Sequence, residues 1–439
     1  MQPSRRSFTL SLTGAVLGST IIPQLAAQAQ DGPSTPATPF RPSYPSRHSA
    51  FESIFLNNLG HAYHNGCDVG KVLYLASQIQ DGDFEGAYLA FKQAGDEART
   101  IAKNSSGRGH KESARQAYLW AQNFYSQSTY FLDNSKDPSR FLATWEMLYE
   151  CWLLSLPLFD PPIEPVKIPY ENTQLFGFFM RAPGEAAARR PLLILANGSD
   201  GSLLGMWLNG GAGGVARGYN CLTFDGPGQG HALWKQKLYF RPDWEKVITP
   251  VVDYALTRPE VDPKRIAIQG ISQGGYWVPR AVAFEKRIAA AIADPGALDV
   301  SAAWLRSLPK PMLDLLTAGR KAEFDRRLAK SLDPAAKAAL SFRMRPYGFG
   351  SYYDVFKATT EYRLSPDIVA RITCPMLITD PANESFFPGQ PRRLFDLLKS
   401  PKALMEFPES SGADLHCEPR GAGLRDLRIF DWLDETLGR

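Results

Sequence analysis

The most constraining stretch of this chain is Arg265-Ile-Ala-Ile-Gln-Gly-Ile-Ser-Gln-Gly-Gly275. Its opening apolar run, Ile266 to Ile268, reads as a buried strand. The chain then turns sharply through Gly270-Ile271-Ser272-Gln273-Gly274 into a helical pattern that starts near Tyr276. Strand, tight turn and helix form the context in which G-x-S-x-G acts as a nucleophile elbow; outside it the pattern is an ordinary Gly/Ser turn. A serine held on so strained a turn needs neighbours without Cβ atoms, so that strand and helix can approach closely. The backbone N–H of Gln273 then points to where an oxyanion would form.

The surrounding pattern places this stretch in an α/β sheet. From Leu192 onward, short apolar runs alternate with helical periodicity: Leu192–Ala196, Cys221–Phe224, Ile266–Ile268, Ala289–Ile292, Met376–Thr379 and Ala403–Phe407 are strand candidates. Trp244–Thr257 and Tyr276–Phe284 are helical patterns between them. Continuous apolar strands separated by helices predict a mostly parallel sheet with helices on both faces. Val166–Ile168 and Leu175–Met180 flank Glu171-Asn172 as an antiparallel hairpin would.

Residues 49–160 form a helical N-terminal domain in this reading, and residues 161–439 the sheet domain. Phe51, Ile54, Phe55 and Leu59 share one helical face; Trp145, Leu148, Tyr149, Trp152 and Leu153 form another stripe that Pro157 ends. Phe84–Lys103 and Lys111–Tyr130 are helical in pattern. Residues from about 300 to 367 carry helical periodicity without a strand pattern, as a lid inserted over the serine would.

Residues 1–29 read as an export signal: Arg5-Arg6 precede Phe8 and an apolar stretch from Leu10 to Ile22, and Ala27-Gln28-Ala29 offers a small-residue cleavage site. The arginine pair points to the twin-arginine route and a periplasmic location, with an ordinary Sec signal as the alternative. The apolar stretch is shorter than the ~20 residues a membrane span requires. The mature chain would begin near Gln30 with a poorly ordered tether over residues 30–48.

A net charge of +4 with no basic run longer than a pair gives no nucleic-acid groove. Five cysteines leave at least one unpaired thiol within a chain: Cys221 and Cys374 flank strands as buried residues, and Cys67–Cys151 is a conceivable bond. No C-x-x-C or H-E-x-x-H pattern occurs, so no metal is expected. His61 and His64, three apart, read as surface or packing residues ahead of metal ligands. The glycine clusters Asn209–Gly214 and Asp225-Gly-Pro-Gly-Gln-Gly230 lack G-K-[ST] and read as turns.

With Ser272 as nucleophile, a partner order of serine, acid, histidine is expected. Of six histidines only His416 follows Ser272, which makes it the general base. The acid belongs in Asp380-Pro-Ala-Asn-Glu384-Ser-Phe-Phe-Pro388, where Asp380 and Glu384 both suit the chemistry. Gly198 or Ser199, in the turn after Leu192–Ala196, would complete the oxyanion hole with Gln273.

These motifs resemble the α/β-hydrolase superfamily, in the group of 2,6-dihydroxypseudooxynicotine hydrolase and the fungal polyketide-shortening hydrolases. The resemblance rests on Asp225–Gly230, the turn at Ser272, the loop ending at His416 and the helical region before the sheet. It implies an α/β-hydrolase fold, a serine nucleophile, no cofactor, a helical region that helps form the pocket and, in many members, a homodimer. Similar hydrolases place the acid well into its loop before a proline, which favours Glu384 over Asp380. Members cleave esters or carbon–carbon bonds next to a ketone. The expectation is an exported serine hydrolase acting on an apolar or aromatic small molecule. A prolyl-oligopeptidase-like peptidase and a non-catalytic binding protein on a hydrolase scaffold are the alternatives.

Overall fold

The computed structural model describes residues 49–185, 188–201 and 203–438. The export signal and the tether lie outside these residues. Eight strands form one sheet: β1 (Glu164–Tyr170), β2 (Thr173–Met180), β3 (Arg190–Ala196), β4 (Asn220–Phe224), β5 (Val261–Ile271), β6 (Ala290–Asp294), β7 (Met376–Pro381) and β8 (Lys402–Phe407). Their order is β1-β2-β4-β3-β5-β6-β7-β8. The β1–β2 hairpin is antiparallel, β2 pairs antiparallel with β4, and every pairing from β4 to β8 is parallel.

The central strands are buried on both faces, which is why they read as unbroken apolar runs. Along β3, Leu193 and Leu195 enter one core while Leu192, Ile194 and Ala196 enter the other, as the two-residue pleat requires. The second core is closed by the helices Glu245–Leu256 and Gly274–Val282.

The first core is roofed by five N-terminal helices: α1 (Ser49–His61), α2 (Val69–Gln78), α3 (Phe84–Gly107), α4 (Lys111–Thr129) and α5 (Phe141–Ser155). Asp83 caps α3 by accepting the Gly86 N–H, and Asp68 caps α2 through Lys71. Trp152 of α5 packs edge-on against Phe178 of β2 with ring centroids 5.6 Å apart, which ties the helices to the sheet. Leu153 departs from its expected stripe and is 39% exposed, because Cys151 and Ser155 share the buried face with Trp152. Helix α2 is not apparent in the sequence: Val69, Leu73 and Tyr74 stay exposed, which blurs its periodicity.

Between β6 and β7, residues 300–367 fold as a run of helices that includes Ser301–Leu305, Lys321–Ser331 and Pro334–Met344. All five cysteines are free. Cys67 donates its Sγ–H to the Asn58 carbonyl at 2.8 Å rather than bonding Cys151. Cys221 is fully buried, whereas Cys374 lies just ahead of β7 and is only partly covered.

Candidate active site

Ser272 follows the last residue of β5 and has φ +56°, a conformation costly for any residue with a Cβ. The position is pinned from behind by its N–H, which donates to the Asp294 carbonyl at the end of β6 at 2.6 Å. Gly270 permits the sharp turn: a Cβ there would sit 2.3 Å from the Gly274 carbonyl oxygen.

Loops after β7 and β8 bring the other two side chains to Ser272. His416 Nε2 lies 2.9 Å from Ser272 Oγ, and Nδ1 lies 2.7 Å from Glu384 Oε2. The second carboxylate oxygen of Glu384 accepts the N–H groups of Phe386 and Phe387 at 2.6 and 2.8 Å. Burial raises the Glu384 pKa, but the bond from His416 and the two N–H groups outweigh it and hold the carboxyl below its ordinary range. The Phe386 ring covers His416, with centroids 4.5 Å apart. The two loops are laced together by Asn383, whose N–H and side-chain amide donate to the backbone and carboxylate of Asp414.

Asp380 is directed elsewhere. It sits within β7, 3.5 Å from Arg392, and burial raises its carboxyl pKa against that cation. Strand β7 runs through Asp380 to Pro381, which keeps its side chain on the sheet. Only in the loop beyond does the chain reach towards His416.

The turn after β3 lies directly beside the serine: a Cβ on Gly198 would meet Ser272 Cβ at 2.8 Å. Gly198 is not the free donor the sequence suggested, because its N–H already donates to Asn197 Oδ1 at 2.8 Å. Among the described residues no partner takes the N–H of Ser199 or Gln273. Gln229 braces this turn, its amide donating to the carbonyls of both Asn197 and Gly198 at 2.9 Å. The glycine-rich segment around Gln229 is therefore more than a turn. Its Asp225 accepts the N–H groups of Leu203 and His231 and fixes both ends of the arrangement.

An aromatic cavity opens beside Gln273 and Ser199. Tyr130 and Trp145 enter it from the helical region or its edge, and Trp304 and Tyr347 from the 300–367 insertion. The Tyr347 hydroxyl and the Gln273 amide nitrogen are buried and face each other, and among the described residues neither has a hydrogen-bond partner of good geometry. Burial pushes the Tyr347 hydroxyl pKa up, so it is a neutral donor. Sequence reasoning missed Tyr347, because it lies inside a helical insertion with no motif around it.

His61 and His64 serve packing: His61 Nδ1 donates to Asn123 at 2.9 Å, and His64 Nε2 lies 2.6 Å from Asp426. Among the described residues no group of three His, Cys, Asp or Glu side chains could hold a metal ion. No helix among them is long and apolar enough to cross a membrane.

Residues 215–338 match the prolyl oligopeptidase family. Over 414 residues, 90% of this chain and 98% of its relative, the chain is 30% identical to the hydrolase LUC6 of a Fusarium species. The chain belongs to the α/β-hydrolases of this group. This hydrolase is also 29% identical to the 20-hydroxy-prefusarin hydrolase FUS2 of Gibberella moniliformis, across 88% of its own length and 96% of the relative. The crystal structure of 2,6-dihydroxy-pseudo-oxynicotine hydrolase shares the fold at a TM-score of 0.65 and 20% identity, covering 87% of this chain and 96% of that one.

Proposed function

We propose that this α/β-hydrolase is an exported serine hydrolase that cleaves an ester or an activated carbon–carbon bond of an apolar or aromatic small molecule through an acyl-enzyme. The observation that carries the reading is the continuous hydrogen-bond chain Ser272–His416–Glu384, with Ser272 on its strained turn. An alcohol is a weak nucleophile at its own pKa and needs such a base within reach.

In the proposed reaction Ser272 Oγ bonds to the substrate carbonyl carbon and its proton passes to His416 Nε2. Glu384 holds the ring in the productive tautomer and stabilises the imidazolium. The N–H groups of Gln273 and Ser199 receive the developing oxyanion. His416 then returns the proton to the departing oxygen or carbon, and a water activated by the same ring releases the acyl group as an acid.

The aromatic cavity supports an apolar substrate, since such pockets are lined mostly by apolar side chains with few polar groups. The unsatisfied Tyr347 hydroxyl and Gln273 amide favour a substrate with a second oxygen near the scissile carbonyl, because buried donors otherwise stay unpaired. A peptidase reading draws on the match over residues 215–338, but the region before the sheet is built of the helices α1 to α5 and not of propeller blades.

Labelling with a fluorophosphonate probe tests the nucleophile. We expect labelling of the folded protein and none of Ser272→Ala. A folded protein that stays unlabelled puts the non-catalytic binding reading first. Aryl esters, β-diketones and aminoacyl anilides assayed side by side then separate the three substrate classes.

A further inference from the structure

Directly behind Ser272 and His416 lies a buried group of ionisable side chains that the proposed reaction does not use. Asp294 ends β6, Glu418 follows His416 by two residues, and Arg425 and Asp426 lie on the helix Ala422–Thr436. Asp294 and Glu418 are 0% exposed and Arg425 1%. Arg425 directs its hydrogen bonds to Asp426, Asn209 and the Cys417 carbonyl. Thr379 Oγ1 donates to one Asp294 oxygen at 2.9 Å. The other Asp294 oxygen and both oxygens of Glu418 accept no hydrogen bond from any described residue, although the Glu418 carboxyl reaches that of Asp294.

Charge makes this arrangement informative. Asp294, Glu418 and Asp426 face one permanent cation, Arg425. His64 beside Asp426 adds a second positive charge only when protonated, and that still leaves one acid in excess. The other neighbours do not help: Glu384 is itself an acid held by His416, and Cys417 is a thiol whose pKa burial pushes up. Two carboxylates facing each other in a dry interior cannot both stay ionised, whereas one proton between them satisfies both. Burial first, and then Asp294, push the Glu418 pKa upward, in keeping with that count.

The two residues also stand behind the two halves of the site. The Asp294 carbonyl accepts the N–H of Ser272 at 2.6 Å and faces the Cys417 thiol at 3.8 Å. Cys417 and Glu418 have φ +61° and +49°, so the loop after His416 takes a conformation that something must hold. We infer that Asp294 and Glu418 share a single proton at neutral pH, and that this hydrogen-bonded carboxyl pair is a positioning device that clips the His416 loop to the strand end behind Ser272. The positioning half rests on the proposed function of Ser272 and His416; the shared proton does not.

The experiment uses the full chain with Glu418→Gln and Glu418→Ala. In the infrared difference spectrum of wild type minus Glu418→Gln at neutral pH, a protonated-carboxyl band is expected; carboxylate bands alone overturn the shared proton. Turnover is normalised to fluorophosphonate-labelled serine, so that loss of folded protein does not count as loss of function. Glu418→Gln, whose amide N–H replaces the proton as donor, should keep kcat within about threefold. Glu418→Ala should lower kcat by ~10²-fold with KM little changed, because the histidine drifts from its attack geometry. An unchanged kcat in Glu418→Ala, or a loss in Glu418→Gln as deep as that in Glu418→Ala, overturns the positioning role. Should Glu418→Ala fail to fold, Glu418→Gln and the infrared band still decide. An unlabelled wild-type serine would instead sink the proposed function and leave the infrared result standing.

Discussion

Glu384 holds His416 with one carboxylate oxygen, 2.7 Å from Nδ1, and anchors itself through the other to the N–H groups of Phe386 and Phe387. An amide in place of that carboxylate leaves the imidazole free to take the wrong tautomer, which can cost ~10⁴ in turnover. We therefore expect Glu384→Gln to abolish most turnover in a protein that still folds. Asp380→Asn, which loosens only the contact with Arg392, should cost about 1 kcal/mol of stability and little turnover. Turnover and melting temperature measured for both variants check this; a dead but folded Asp380→Asn reverses the two roles.

Gln229 is the brace of the turn beside Ser272. Its amide serves the carbonyls of Asn197 and Gly198, and its oxygen accepts the Gly226 N–H. Gln229→Ala strands three buried backbone groups, and about 1–3 kcal/mol of stability should go with them. Because the Ser199 N–H rides on the same turn, kcat should fall by ~10²-fold, the usual effect of losing an oxyanion donor. A normal kcat in the folded variant would place the oxyanion donors outside this turn.

The Tyr347 hydroxyl is expected to matter for one substrate class and not the other. Tyr347→Phe keeps the ring and removes the donor beside Gln273. In parallel assays, turnover of a substrate with a second oxygen near the scissile carbonyl should fall by ~10²-fold, with simple aryl esters little affected. Equal losses on both would mean that the hydroxyl only shapes the cavity.

His61 makes stability depend on pH. Burial, with Arg425 and His64 nearby, lowers its pKa to about 4 against the bond to Asn123. An unfolded histidine takes up a proton near pH ~6.5, before the folded one does. Its contribution is therefore complete above that pH and is lost as pH falls towards 4. The melting temperature of wild type relative to His61→Gln should shrink across this window, and a difference that stays constant with pH would refute the assignment.

Export is a proposal that rests on Arg5-Arg6 and the apolar stretch after them. Changing both arginines to lysine should trap precursor in the cytoplasm if the twin-arginine route is used. Unchanged export would indicate the Sec route.

The sequence by itself determined the elements whose cause is local. Continuous apolar runs marked β3 to β7, because strands buried on both faces have no polar side to display. The glycines around Ser272 marked the turn, since only they permit its backbone approach. Having a single histidine after that serine narrowed the base to His416. Between Asp380 and Glu384 the residues left the choice open and only the family resemblance favoured Glu384; in the structure the end of β7 decides which one leaves the sheet. Tertiary structure alone revealed that the Gly198 N–H is already taken, that Gln229 braces the turn and that Asp294 meets Glu418 behind it. The last two join residues distant in the chain. Neither spacing nor periodicity carries such partnerships, which exist only once the sheet has brought its strand ends together.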